Sequence, residues 1–162
     1  MRRTILVAMV GMLLLSMMPA IALAATITCG TDTDRDPSNV ICRGTDNNDQ
    51  ITERKGQNQD DIRARAGNDT VDATPHTSDA DTLHGQTGDD TLKANDGDTR
   101  DVVDCGQGTD TAKIDVKRDS SGKITEADKF DSDCETVTDQ GGGSVKSAAL
   151  PAGTVVSIAD NG

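Results

Sequence analysis

Aspartate recurs along this 162-residue chain at a spacing that could hold metal ions. One set, Asp49, Asp69, Asp90 and Asp110, steps by 20, 21 and 20 residues, and a second, Asp60, Asp81 and Asp101, steps by 21 and 20. The first set closes turns rich in Gly, Asn and Asp, with Gly67, Gly88 and Gly108 in the fourth place and Asn47 standing in for the first turn. Gly and Asn suit turn positions where φ is positive. Calcium takes six to eight oxygens from carboxylates and backbone carbonyls, more than one six-residue turn can supply. Two stacked turns can supply them. Up to three calcium ions are therefore expected, between Asp49 and Asp69, Asp69 and Asp90, and Asp90 and Asp110. Glycine-position carbonyls would contribute, with Asp46 and Asp89 nearby. The turns ending at Asp60, Asp81 and Asp101 carry extra residues, so they read as a second, weaker edge. Without metal, such stacking would crowd carboxylates, which is unfavourable.

The elements that position these groups follow from the residues two places on. These are Ile51, Ile62, Val71, Leu83, Leu92, Val103 and Ala112, at alternating long and short steps. A chain that returns to the same place every 20 or so residues is a solenoid, here with two short strands per coil. Ile51, Val71, Leu92 and Ala112 form one inward row; Ile62, Leu83 and Val103 form the facing row. The expected fold is all-β, a parallel β-roll over residues 44–113 flanked by disulfide-tied caps.

The frames GTDNNDQIT, KGQNQDDIR, ARAGNDTVD, HTSDADTLH, GQTGDDTLK and CGQGTDTAK carry Asp sixth and an aliphatic residue or Ala eighth. This resembles the nonapeptide repeat G-G-x-G-x-D-x-U-x of the RTX (haemolysin-type) calcium-binding proteins. The opening C-R-G-T-D-N-N-D and closing D-C-E-T-V are also similar to small secreted members, so the resemblance spans Cys29 to Val137. It implies a calcium-bound β-roll. The chain departs from the family in its few paired glycines, its long second-edge turns and Ala112 in an aliphatic slot.

Residues 1–24 read as a secretory signal peptide: Arg2 and Arg3, an apolar run from Ile5 to Leu15, and Ala22-Leu23-Ala24 as a cleavage site. Removal of its two arginines takes the formal net charge from −12 to −14. Residues 25–43 read as an N-terminal cap and 114–140 as a C-terminal cap. Four cysteines after an export signal predict two disulfides, with Cys29–Cys42 and Cys105–Cys134 favoured as pairings of sequence neighbours. Residues 141–162, opening Gly141-Gly142-Gly143-Ser144, read as a flexible tail, with docking of Val155-Val156-Ser157-Ile158 as an extra strand the rival.

No G-x-S-x-G, H-E-x-x-H or phosphate-binding loop occurs, and no enzyme activity is expected. His76 and His84 read as solvated turn residues. The acidic surface and single aromatic, Phe130, make nucleic acid an improbable partner. The apolar run is too short for a membrane span that would survive signal removal. The expectation is a secreted calcium-binding monomer whose folding is coupled to its metal and whose extracellular partner the sequence does not identify. The alternative is a surface-recognition protein (adhesin, carbohydrate- or ice-binding) using the outward Thr70, Thr91 and Thr111. A third reading, accessory module of an extracellular enzyme, is disfavoured.

Overall fold

A computed structural model describes residues 23–29, 40–53, 59–76, 79–146 and 149–156. Most of the expected signal segment and the polar run between Cys29 and Cys42 lie outside the described residues. The chain is an all-β solenoid of two facing parallel sheets. The first sheet stacks β1 (Thr26–Thr28), β3 (Gln50–Thr52), β5 (Thr70–Asp72), β7 (Thr91–Lys93), β9 (Thr111–Ile114) and β13 (Thr136–Asp139). The second stacks β2 (Val40–Arg43), β4 (Asp60–Arg63), β6 (Thr82–His84), β8 (Val102–Asp104), β12 (Lys129–Asp131) and β14 (Val155–Val156).

Strand register places each predicted aliphatic residue beside its counterpart one coil away. Ile51 pairs with Val71, Val71 with Leu92 and Leu92 with Ala112; Ile62 pairs with Leu83 and Leu83 with Val103. All seven are fully buried. Strands of three or four residues offer one inward side chain each, or two when the next residue also turns in. Ala73, Ala94 and Ile114 fill that second inner row, continuing the parallel ladder from Ala73 N–H to the Lys93 carbonyl and from Ala94 N–H to the Lys113 carbonyl. The core is therefore a thin double seam.

The two segments expected to cap the roll are built into its sheets. They are coils of the same solenoid: Ile27 pairs with Ile51 and Cys42 with Ile62 at one end, Val137 with Ala112 and Phe130 with Val103 at the other. The last second-edge turn is replaced by a hairpin of β10 (Val116–Arg118) and β11 (Ile124–Ala127), whose tip is fastened by Asp119. In the tail a strand docks, the rival expectation: Val155 pairs in parallel with Phe130, and Val145 is buried. Phe130 presents a strand with an open side, and the β-branched pair Val155-Val156 satisfies it. The rest of that predicted strand, Ser157 and Ile158, lies outside the described residues. Among the described residues no helix is long and apolar enough to cross a membrane.

Both expected disulfides are present, Cys29–Cys42 and Cys105–Cys134. The second closes a sequence separation of 29 and ties the last repeat turn to the coil carrying β13. Replacing both of its cysteines (Cys105→Ser with Cys134→Ser) is expected to lower stability by about 3 kcal/mol. Urea unfolding of the calcium-supplemented protein checks this, and an unmoved midpoint would refute it.

Candidate metal centres

The repeated aspartates line two edges of the solenoid as continuous ladders. On the first edge, the backbone N–H of Asp49 donates to Asp69 Oδ1 (2.6 Å), that of Asp69 to Asp90 Oδ1 (2.8 Å), and that of Asp90 to Asp110 Oδ1 (2.7 Å). On the second edge, the N–H of Asp60 donates to Asp81 Oδ1 and that of Asp81 to Asp101 Oδ1, both at 2.8 Å. Each carboxylate thus receives the chain one coil before it, which fixes its side chain.

The other oxygen is left over. Oδ2 of Asp69, Asp90 and Asp110 on the first edge, Oδ2 of Asp81 and Asp101 on the second, and both oxygens of Asp60 are buried without a hydrogen-bond partner. A buried carboxylate oxygen without a donor is costly. Burial raises all of these carboxyls: Asp60 and Asp69 to about 6, Asp81 and Asp90 to about 7, and Asp101 to about 9. Asp110 is raised for the same reason. The ladder N–H groups pull several of them down, and neighbouring carboxylates push them up again.

In geometry the two edges are alike. Asp101 is fully buried and the second edge has as many rungs with leftover oxygens as the first. The extra residues lie between strands and leave the D-x-U triplet in register. Each ladder also has one acid that the repeat frame did not pick out. The Asp110 N–H donates to Glu135 Oε2 (2.7 Å) and the Asp101 N–H to Asp128 Oδ1 (3.2 Å). Both sit two residues before an inward residue, Val137 and Phe130, so the signal was there in Glu135-Thr136-Val137 and Asp128-Lys129-Phe130.

The first turn departs from the others. Asp49 has no leftover oxygen: Oδ1 accepts from Ala25 N–H, and Oδ2 from the Thr45 N–H and hydroxyl. Asn47 does not take the positive φ expected of it, because Thr45 organises that turn by accepting from the Asn47 backbone and side chain. Positive φ falls instead on Arg65 and Gln86, and on Gly67, Gly88, Gly106 and Gly108. Asp46 points outward, 70% exposed, in an ion pair with Arg65. Asp89 is an exposed rung, taking the Thr109 N–H on Oδ1 while its own N–H donates to Asn68. Gly67, Gly88 and Gly108 do stack closely: a Cβ on Gly88 would stand 1.8 Å from the Gly67 carbonyl oxygen, and one on Gly108 would stand 1.9 Å from that of Gly88.

Both histidines are partly buried and lie beside carboxylates, His84 in strand β6 and His76 in a second-edge turn. His84 Nδ1 lies 2.9 Å from Asp104 Oδ2 on the outside of the second sheet. His76 sits at the second edge beside buried Glu53 and Asp79. Compared with protein-family models, with curated proteins and with solved structures, the chain finds no match, so the site rests on its own residues.

Proposed function

We propose that this is a secreted calcium-binding solenoid whose folding is coupled to calcium. The observation that carries the reading is the row of buried, unpartnered carboxylate oxygens, one or more per rung, at Asp69, Asp90, Asp110, Asp60, Asp81 and Asp101. An oxygen-seeking cation satisfies them, and calcium, with its flexible six- to eight-oxygen shell, suits stacked turns better than magnesium, which demands octahedral geometry and retains waters. The donors would be these carboxylates with the Gly67, Gly88 and Gly108 carbonyls. The resemblance to RTX repeats supports the same ion. Two disulfides suit an oxidising extracellular setting, where calcium is abundant enough for modest affinity. Metal that binds only the folded chain stabilises it by mass action.

Asp90 faces two gaps of the first ladder, so Asp90→Asn gives a two-signed test. The neutral amide removes a buried charge from the metal-free protein, which is expected to become more structured in EDTA. It also removes a calcium ligand, so isothermal titration is expected to show fewer calcium ions per chain and at least about 10-fold weaker binding. Unchanged calcium binding would overturn the assignment.

A second reading, surface recognition by the outer face of the first sheet, draws on one observation. The column Thr26, Gln50, Thr70, Thr91, Thr111, Thr136 runs in register along the whole sheet. Its companion column includes Asp72, Lys93 and Lys113, with Lys93 paired to Asp72 at 3.4 Å, and so is charged and uneven. Replacing Thr91 and Thr111 by Lys would leave calcium-dependent folding intact and remove only this activity.

A further inference from the structure

Glu53 occupies a position built for a small apolar side chain. It continues the inner row that holds Ala73 and Ala94 in the next two coils: its N–H donates to the Asp72 carbonyl as theirs do to Lys93 and Lys113. Yet it is a carboxylate, 2% exposed, with neither oxygen hydrogen-bonded. A ladder aspartate receives a well-aligned backbone N–H; at Glu53 the His76 backbone N–H is not so aligned, and its help is outweighed by burial and by Asp81, Asp79 and Asp60. Something must compensate a buried acid placed where alanine suffices.

The groups facing it supply the answer. Donor atoms of Glu53, His76 and Asp79 all lie within 4.8 Å of one another. Asp79 is 4% exposed and both its oxygens are unpartnered. His76 Nδ1 and Asp79 Oδ2 are 2.9 Å apart but are not aligned as a hydrogen bond. That is the separation of two ligands converging on one small cation. Asp60, with both oxygens also unpartnered, is close enough to Asp79 to repel it electrostatically and offers a further carboxylate.

We propose that Glu53, His76 and Asp79 form a site for a zinc-class divalent ion, chemically different from the all-oxygen calcium ladders. The imidazole makes the difference. Calcium takes oxygen ligands, whereas zinc and its neighbours combine imidazole nitrogen with carboxylate oxygens at about 2.0–2.2 Å. The site does not depend on the calcium reading, because its three ligands Glu53, His76 and Asp79 lie outside the calcium set, and only the neighbouring Asp60 belongs to the second ladder.

The test is isothermal titration of zinc chloride into the exported full chain, with both disulfides formed and calcium saturating. One zinc per chain is expected. Glu53→Ala installs the residue that the next two coils already carry, so its calcium-dependent circular dichroism should be unchanged while zinc affinity falls by more than about 100-fold. His76→Ala should do the same, and cobalt(II) should give a visible absorption band in the parent protein that both variants lose. Zinc bound equally by parent and variants would mean adventitious capture by an acidic surface and would overturn the site. So would the absence of zinc binding when calcium is present, which would make the cluster a calcium site or a plain histidine–aspartate ion pair. Calcium-driven folding is read separately by circular dichroism, so failure of one proposal does not mask the other.

Discussion

Gly88→Ala is expected to leave the chain unfolded even in excess calcium. The substitution combines two costs. Gly88 sits at φ +131°, where an L side chain is strained by roughly 1–3 kcal/mol. Its Cβ would also meet the Gly67 carbonyl oxygen at 1.8 Å and carbon at 2.6 Å. Those atoms are backbone of the preceding coil, held by the bond from Gly67 N–H to the Thr87 carbonyl, so no rotamer change relieves the contact. The stack must open at that turn, which also separates the carbonyls proposed as calcium donors. Together the loss exceeds about 3 kcal/mol, a large share of the stability of a small domain. Gly97→Ala is the matched control. It has φ +113° but nothing within 4 Å of the added atom, so only the strain of about 1–2 kcal/mol remains. Far-UV circular dichroism of the two variants side by side in excess calcium gives the comparison, with coil expected for Gly88→Ala and β structure for Gly97→Ala. Equal, small effects would mean that the turns are not closely stacked.

The second large effect is a pH dependence that changes sign with calcium. In the metal-free protein burial raises the ladder carboxyls above their ordinary 3.8, to about 6 at Asp69, about 7 at Asp90 and about 9 at Asp101. Glu53 and Asp128 rise to about 8, also through burial first. A carboxyl with a raised folded-state value holds its proton more tightly folded than unfolded. Its stabilising contribution is therefore complete below about pH 4 and disappears as pH climbs through 6 to 9. One pKa step is worth about 1.4 kcal/mol, so for Asp90 alone the loss is on the order of 4 kcal/mol. In EDTA the chain should be more structured at about pH 5 than at about pH 8. With calcium the order reverses, because the ion binds only deprotonated carboxylates and competes better as protons leave. Circular dichroism at both pH values, with and without calcium, checks both signs. A chain that gains structure with rising pH in EDTA would contradict the burial of these acids.

The sequence carried most of this architecture. An Asp two residues before an aliphatic one, repeated every 20 or 21 residues, was enough to place seven inward side chains and both ladders, because a two-residue offset in a strand keeps its meaning in every coil. What escaped detection broke that rhythm. Asp128 follows Asp101 only after the β10–β11 hairpin, and Glu135 replaces Asp at a step of 25 residues from Asp110. The second edge looked degenerate because insertions dilute its motif, yet they leave the strands in register. Asp49 keeps its expected place in the ladder, but nothing in the repeat frame announced that the hydroxyl and N–H of Thr45 would bond its Oδ2. Glu53 drew no notice as one acid among many. Only the alignment with Ala73 and Ala94 shows that it stands in a core row, and only the fold brings His76 to it.

The most direct measurement is far-UV circular dichroism of the oxidised protein near neutral pH, first in EDTA and then with calcium added. The apolar seam is thin, and carboxylate oxygens are buried without partners along both edges. A coil spectrum in EDTA is therefore expected, converting cooperatively to β with calcium, with magnesium ineffective at the same concentration. A β spectrum already complete in EDTA, or a coil that persists at roughly 10 mM calcium, beyond the weakest extracellular sites, would contradict it.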